Sequence, residues 1–282
     1  MRPEKGDPSV RVTWQDVCRA LQQVGVEAGD TAMFHSSLSS MGTVVGGPDA
    51  VIRGFLEAVG PEGTVAVPTL CNWEPGEERL VFQRWDPKSS PAYVGAIPDR
   101  FWRRPDARRS DHATHSVAAI GAKAEELTAN HGTSGLRPGP FGDRAFARES
   151  PWQKLADWNA AYCFIGVTMR VATAVHLVET LVVERALARC PEDSRACLSA
   201  EVVGWMKPGV WPWVRVEDRE VLEEQLAERG LARYGRIGSA TLRCTHVGDL
   251  VHAWVGILES DPARWLPEEF CRWLAETMIR DP

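Results

Sequence analysis

The chain has no excess of basic charge, no long apolar run, no CxxC pair and very little tyrosine, and each lack closes off a class of function. Its 32 Lys and Arg are outnumbered by 38 Asp and Glu, leaving a net charge of −6. Nucleic-acid binding, which needs clustered cations against phosphates, is therefore not expected. No segment approaches the ~20 apolar residues of a bilayer-spanning helix, so no membrane partner is expected either. The opening residues lack the apolar stretch of a secretion signal, which predicts a cytoplasmic protein. The 7 cysteines are odd in number and scattered from Cys18 to Cys271. They make no disulfide framework, and Cys190 and Cys197 stand too far apart for a zinc knuckle. Reduced, mostly buried thiols and no bound metal follow. Also missing are the GxSxG elbow, HExxH, the GxGxxG and Walker loops and the kinase signatures.

What is present is the composition of an ordinary globular protein: 282 residues, 44% apolar and 25% charged. That length allows one large α/β domain or two small ones. No linker or repeat divides it, so a single domain over residues 1–282 is expected, with residues 1–12 a disordered leader. The 12 tryptophans against 3 tyrosines lie in both halves, which suggests packing and pocket walls. The acidic stretches at Glu74–Glu78 and Glu220–Glu228 read as solvated faces.

Thr13 caps a helix from Trp14 to Val24 that Gly25 stops. A buried strand, Thr31–His35, then a helix, Asp49–Val59, and a second strand, Thr64–Thr69, have the order of a parallel βαβ crossover. Residues 70–110 read as a long, largely irregular excursion and 132–146 as a second irregular stretch, and loops of the first one's length are commonly functional. Between and after them come strands Val117–Gly121 and Ala161–Val167, short helices at Ala122–Asn130 and Pro151–Leu155, and a helix over Ala172–Arg189. A charged helix (Asp218–Glu228), a strand near Ser239–Cys244 and a Trp-bearing terminal helix complete the pattern.

Three constellations carry chemistry. Thr173-x-x-His176-x-x-Glu179 opens a helix just beyond a buried strand, and positions three apart share a helix face. A carboxylate beside an imidazole fixes its tautomer and raises its basicity, as a general base removing an amine proton requires. The Thr173 hydroxyl suits a developing oxyanion. A core histidine satisfied by a helical neighbour has the same spacing. Arg108–Ser116 holds Arg109, Ser110, Asp111, His112 and His115. Its arginines and hydroxyls suit phosphate or carboxylate groups, its HxxH suits a metal only with a further ligand, and a solvated loop reads the same way. His35–Gly47, with Ser36, Ser37, Leu38 and Ser39, leaves a buried strand for a glycine pair, which suits backbone N–H groups against an anion or simply a tight connection.

Taken together these motifs resemble one family, the aminoglycoside N3-acetyltransferases, whose antibiotic N-acetyltransferase fold is distinct from the GNAT fold. The resemblance rests on His35–Ser39 with Gly46 and Gly47, Gly63–Thr69, Pro91–Gly95, Arg109–Ser116, Ser150–Leu155, Ile165–Val167 and Thr173–Glu179. A weaker echo continues at Ile237–Leu242 and Asp249–Val251. It implies an α/β fold with a central mixed, largely parallel sheet flanked by helices and long loops. The activity implied is transfer of an acetyl or related acyl group from CoA to an amine of an aminoglycoside or similar small molecule, in antibiotic resistance or natural-product biosynthesis. His176 carries over as the base, Glu179 as its partner and Thr173 as an oxyanion or substrate contact. His35, Ser36, Ser37, Leu38, Ser39, Arg109 and Ser110 carry over as the acyl-CoA site. Asp111, His112, His115 and Glu179 carry over as the acceptor site. A monomer or homodimer is expected.

Two departures stand out: Ala113 replaces the family's usual Pro after the first His, and His115 fills a variable position. The Trp205–Trp213 and Trp254–Trp273 segments are also distinctive. Polycationic acceptors need carboxylates, and Glu179, Asp111 and Asp218 are the candidates. Two other readings stay open. One is a transacylase or hydrolase with Ser36, Ser37, Cys71 or Cys163 as nucleophile and His176 as its base. The other is an inactive protein that binds CoA or another small molecule.

Overall fold

The computed structural model describes residues 3–71, 78–139, 141–192, 195–196, 199–200 and 214–279. The Trp205–Trp213 segment and residues 74–77 of the first acidic stretch lie outside them. In chain order the described elements are β1 (Arg11–Val12), α1 (Trp14–Gln23), β2 (Thr31–Ser36), β3 (Thr43–Val44), α2 (Gly47–Val59) and β4 (Thr64–Pro68). Then come α3 (Glu78–Arg84), α4 (Ala96–Trp102), β5 (Arg108–Arg109), β6 (Val117–Gly121), α5 (Ala124–Thr128), α6 (Pro151–Asp157), β7 (Ala161–Ile165) and α7 (Val175–Ala188). The last are α8 (Asp218–Glu228), β8 (Arg233–Ile237), β9 (Ala240–His246), α9 (Val247–Ser260), α10 (Pro262–Trp265) and α11 (Glu268–Ile279).

Local chemistry explains the early boundaries. Thr13 and Asp16 form a capping box, with the Asp16 carboxylate accepting the Thr13 N–H at 2.9 Å and the Thr13 hydroxyl accepting the Asp16 N–H at 3.4 Å. Helix α2 carries Val51, Ile52, Phe55 and Val59 on its buried side, and Phe55 stacks on Phe34 of β2 with centroids 4.0 Å apart. Burying a side chain of that size stabilises by about 1.5–3 kcal/mol.

The main sheet has seven strands in the order β5-β6-β4-β2-β7-β9-β8. β2 pairs in parallel with β4 on one side and β7 on the other. The parallel β2-α2-β4 crossover is thus present. The sheet is mixed, as expected, but it is not largely parallel: β4–β6, β5–β6, β7–β9 and β8–β9 are all antiparallel. Of the connections, β2-α2-β4 is the direct parallel crossover, whereas β5–β6 and β8–β9 are antiparallel neighbours in sequence and β7 is reached from β6 through α5 and α6. β2 and β7 are buried along nearly their whole length, and β7 accordingly reads as an unbroken apolar run while β2 carries apolar Ala32, Met33 and Phe34 at its centre. Ala32 and Phe34 of β2 join the apolar layer of α1, α2 and α4, whereas Met33 joins the layer of α6, α7 and α9.

Two further expectations, on the leader and on the helix after β7, need correction. The leader is anchored from residue 3 onward: the Glu4 N–H donates to the Gly166 carbonyl at 2.9 Å, its carboxylate meets Arg243 at 2.8 Å, and Val12 is buried. Residues 70–110 are largely irregular where described, as expected, with the short helices α3 and α4 and strand β5 among them. The helix expected from Ala172 begins at Val175, behind a one-turn 3-10 helix at Met169–Val171. No helix among the described residues is long and apolar enough to cross a membrane.

Candidate active site

Ligands of open α/β sheets settle beyond the carboxyl ends of parallel strands, where neighbouring strands are connected in opposite directions. Here that place is the end of β2, between β4 and β7. A cavity of about 1050 Å³ opens there. It is lined by His35, Ser36, Ser37, Leu38 and Ser39 leaving β2, by Val167, Arg170, Val171, Thr173 and His176 after β7, and by Tyr93, Gly95 and Arg219 among others. Gly166 holds the turn after β7 with φ +65°, and a Cβ there would lie 2.3 Å from Cβ of Ser40, so the two walls of the cavity approach through this glycine.

His176 stands on the first turn of α7, its side chain 12% exposed, with Nδ1 3.0 Å from Oε2 of Glu179. Glu179 is fully buried, and its other oxygen accepts the Val214 N–H at 2.8 Å. A carboxylate oxygen opposite Nδ1 makes that nitrogen the ring's donor and Nε2 its basic site. Burial, and secondarily the positive charge of Arg219, push the His176 pKa well below its ordinary value. The ring is neutral at pH 7. The basicity expected from the carboxylate is therefore outweighed by desolvation, so Glu179 orients the ring more than it charges it. Edges of aromatic rings fix its plane: His115 at 5.8 Å and Phe141 at 5.1 Å between centroids.

Thr173 joins His176 on the cavity wall, and the five positions from His35 to Ser39 face them. Nε2 of His35 is hydrogen-bonded to the Tyr162 hydroxyl at 2.8 Å, and burial pushes its pKa down to about 3. Ser37 bonds within its own turn, 2.8 Å from the Ser40 hydroxyl, which leaves the backbone of that turn to shape the wall.

The other predicted residues sit elsewhere. Arg109 is not a cavity residue: its Nε donates to the Thr69 hydroxyl at 3.0 Å and Nη2 to the Thr69 carbonyl at 2.7 Å, while Nη1 reaches the Ser90 carbonyl. Its guanidinium also lies over the rings of Trp85 and Trp102. Ser110 is buried beneath, where its hydroxyl meets Nδ1 of His131 at 2.9 Å and accepts the Val117 N–H at 2.9 Å. Both brace the loop rather than face the cavity. Asp111 is exposed and accepts the Trp85 indole N–H at 2.8 Å. His112 is buried, its Nδ1 accepting the His115 N–H at 3.1 Å, and it stacks on His131. His115 reaches the site only by supporting the ring of His176, since it does not line the cavity. Glu179, also expected at the acceptor, is behind His176 and out of reach of any ligand. Asp218 pairs with Arg215 at 2.7 Å.

Among the candidate nucleophiles, Cys163 is buried with its sulfur 3.7 Å from that of Cys244, and its pKa is raised by that contact and by burial. Cys71 points its thiol at the Pro91 carbonyl at 3.4 Å, and burial raises its pKa too. Neither lines the cavity. Among the described residues the Ser36 hydroxyl has no hydrogen-bond partner, and no Ser36–His176 dyad is formed. Among the described residues, no group of three or more His, Cys, Asp or Glu is placed to hold a metal ion.

Sequence reasoning missed Arg219, Arg170 and Tyr93. Arg219 and Arg170 come from segments 49 residues apart, and the Arg219 Nη1–Arg170 carbonyl bond of 3.0 Å that joins them has no local signature.

Comparison with known proteins agrees with this geometry. The family model described as aminoglycoside 3-N-acetyltransferase matches residues 33–259. Aminoglycoside N(3)-acetyltransferase VII of Streptomyces paromomycinus is 27% identical over 281 residues, covering 90% of this chain and 93% of that protein. Aminoglycoside N(3)-acetyltransferase VIII of Streptomyces fradiae is 29% identical, covering 88% and 92%. Among solved structures, the aminoglycoside acetyltransferase AAC(3)-Xa superposes with TM-score 0.67 at 26% identity over 88% of this chain and 93% of that one. The structure of AAC-IIIb with CoASH shares the fold, with TM-score 0.67 at 21% identity over 90% and 98%. With the matched region spanning most of the chain and containing both cavity walls, the chain belongs to the aminoglycoside 3-N-acetyltransferase family of enzymes.

Proposed function

We propose that the chain transfers an acetyl group from acetyl-CoA directly to a primary amine of an aminoglycoside or a similar small amine, with His176 as general base. The observation that carries this reading is the neutral His176 ring, oriented by Glu179 and facing one cavity together with the Ser36–Ser39 turn. The donor and acceptor classes come from the relatives' names. A cavity of about 1050 Å³ is at the upper end of ordinary ligand sites and suits a long thioester.

The amine nitrogen attacks the thioester carbonyl carbon while Nε2 of His176 takes its proton. The carbonyl π pair moves onto oxygen, where the Thr173 hydroxyl stands on the same wall. Collapse re-forms the carbonyl and breaks the C–S bond. The electron pair leaves on sulfur, which receives the proton from His176. Imidazolium formed in the step is countered by Glu179. Alignment of the two substrates contributes about 7–11 kcal/mol in favourable cases, and the base a further ~10²–10⁴-fold.

The test is CoASH release from acetyl-CoA in the presence of sisomicin, with wild type and His176→Ala compared. The variant is expected to lose about 10²–10⁴-fold in kcat and still bind acetyl-CoA. Full turnover in the variant, or no acetyl-CoA binding by wild type, overturns the reading.

A further inference from the structure

We infer that Arg219, supported by Arg170, is an anion-recognition site inside the cavity, built for a phosphate or carboxylate group carried by one of the two substrates. The first observation is the charge of the walls. Among the described residues lining the cavity there is no aspartate or glutamate, and the two charged side chains are Arg170 and Arg219.

The second is the state of Arg219 itself. It is 5% exposed, its Nε is buried with no hydrogen-bond partner, and its one described hydrogen bond goes to a neutral carbonyl, that of Arg170, at 3.0 Å. No ion pair to Arg219 occurs among the described residues, whereas Arg170 is shared by Glu217 at 3.4 Å and Glu220 at 3.7 Å. A buried guanidinium with donors to spare and no carboxylate in ion-pair contact among the described residues is costly unless an anion completes it. The Ser36 hydroxyl, another buried polar group without a partner, belongs to the same cavity. Burial lowers the Arg219 pKa, and the charges of Glu179 and Glu217 oppose it without a direct ion pair among the described residues.

A planar guanidinium presents paired N–H donors that match phosphate and carboxylate oxygens. The inference rests on the proposed function for its two sources: the phosphates of CoA, or an acid group on the acceptor. Inorganic pyrophosphate is the probe, titrated calorimetrically into the full-length protein with and without saturating CoA. It is expected to bind wild type and to bind Arg219→Gln at least about tenfold more weakly, with Arg219→Lys intermediate, because lysine keeps the charge and loses the fork. Loss of pyrophosphate binding in saturating CoA assigns the site to the donor's phosphates. Binding on top of CoA assigns it to an acid group of the acceptor. Arg170→Gln, altered at a partly exposed position, covers the case in which Arg219→Gln does not fold, and it should weaken pyrophosphate in the same direction. Equal binding by wild type and the folded variants, or no binding by wild type, overturns the inference. Wild type that binds pyrophosphate but not CoA overturns the proposed function and leaves the anion site standing.

Discussion

The Tyr162 hydroxyl and Nε2 of His35 share a hydrogen bond of 2.8 Å, joining β7 to β2 at the edge of the cavity. Burial holds His35 neutral, and burial raises the Tyr162 pKa, so the phenol keeps its proton. Tyr162→Phe leaves His35 without its partner in a buried position. The variant should lose about 1–3 kcal/mol in urea-induced unfolding, the cost of an unsatisfied buried group. An unfolding free energy equal to that of wild type would show that His35 finds another donor.

Acid should destabilise the protein well above the carboxylate range. His35, His112, His115, His131 and His176 are buried, and burial lowers the pKa of each, to about 3 for His35 and about 4 for His131. Below pH 6.5 the unfolded chain protonates these rings while the folded chain does not, so stability falls as pH falls. At pH 5 His35 and His131 together account for about 4 kcal/mol, roughly 2 from each. The melting temperature should therefore drop steeply between pH 7 and pH 5. By the same sign, His176 remains a competent base through pH 6.5, and the acid limb of kcat/KM should lie below it. A limb centred at an ordinary histidine pKa would contradict the burial of that ring.

A direct transfer leaves no acetyl group on the protein. Intact-mass spectrometry after incubation with acetyl-CoA alone should show unmodified chain, and Cys163→Ala and Cys71→Ala should keep wild-type turnover, because both thiols lie outside the cavity and are held protonated. A stoichiometric acetyl adduct would return the covalent route to consideration.

Arg109 makes a sharper test of what the loop does. Its bonds run to Thr69 and Ser90, so Arg109→Ala should cost stability, about 2 kcal/mol for lost charge-assisted bonds, while KM for acetyl-CoA moves less than about twofold. A large rise in KM at unchanged melting temperature would place Arg109 at the ligand after all.

The sequence by itself determined the elements with strong periodicity or caps: α1 from its Thr13–Asp16 box, the β2-α2-β4 crossover and the buried strand β7. It also determined the pairing of His176 with Glu179, since one helical turn is local geometry. The polar edge strand β8 went unread because its residues alternate without a buried face, although the Gly238–Ser239 turn into β9 is a hairpin signal. Tertiary structure alone decided the rest. Whether Arg109, Ser110 and His112 face a ligand or a loop depends on where residues 69, 90 and 131 come to lie, and chain proximity carries no such information. The same holds for the His176 pKa, which burial lowers, with a smaller contribution from the charge of Arg219, 43 positions away in sequence. Burial and long-range charge are properties of the folded volume, so they set the site's chemistry only once the sheet has brought its ends together.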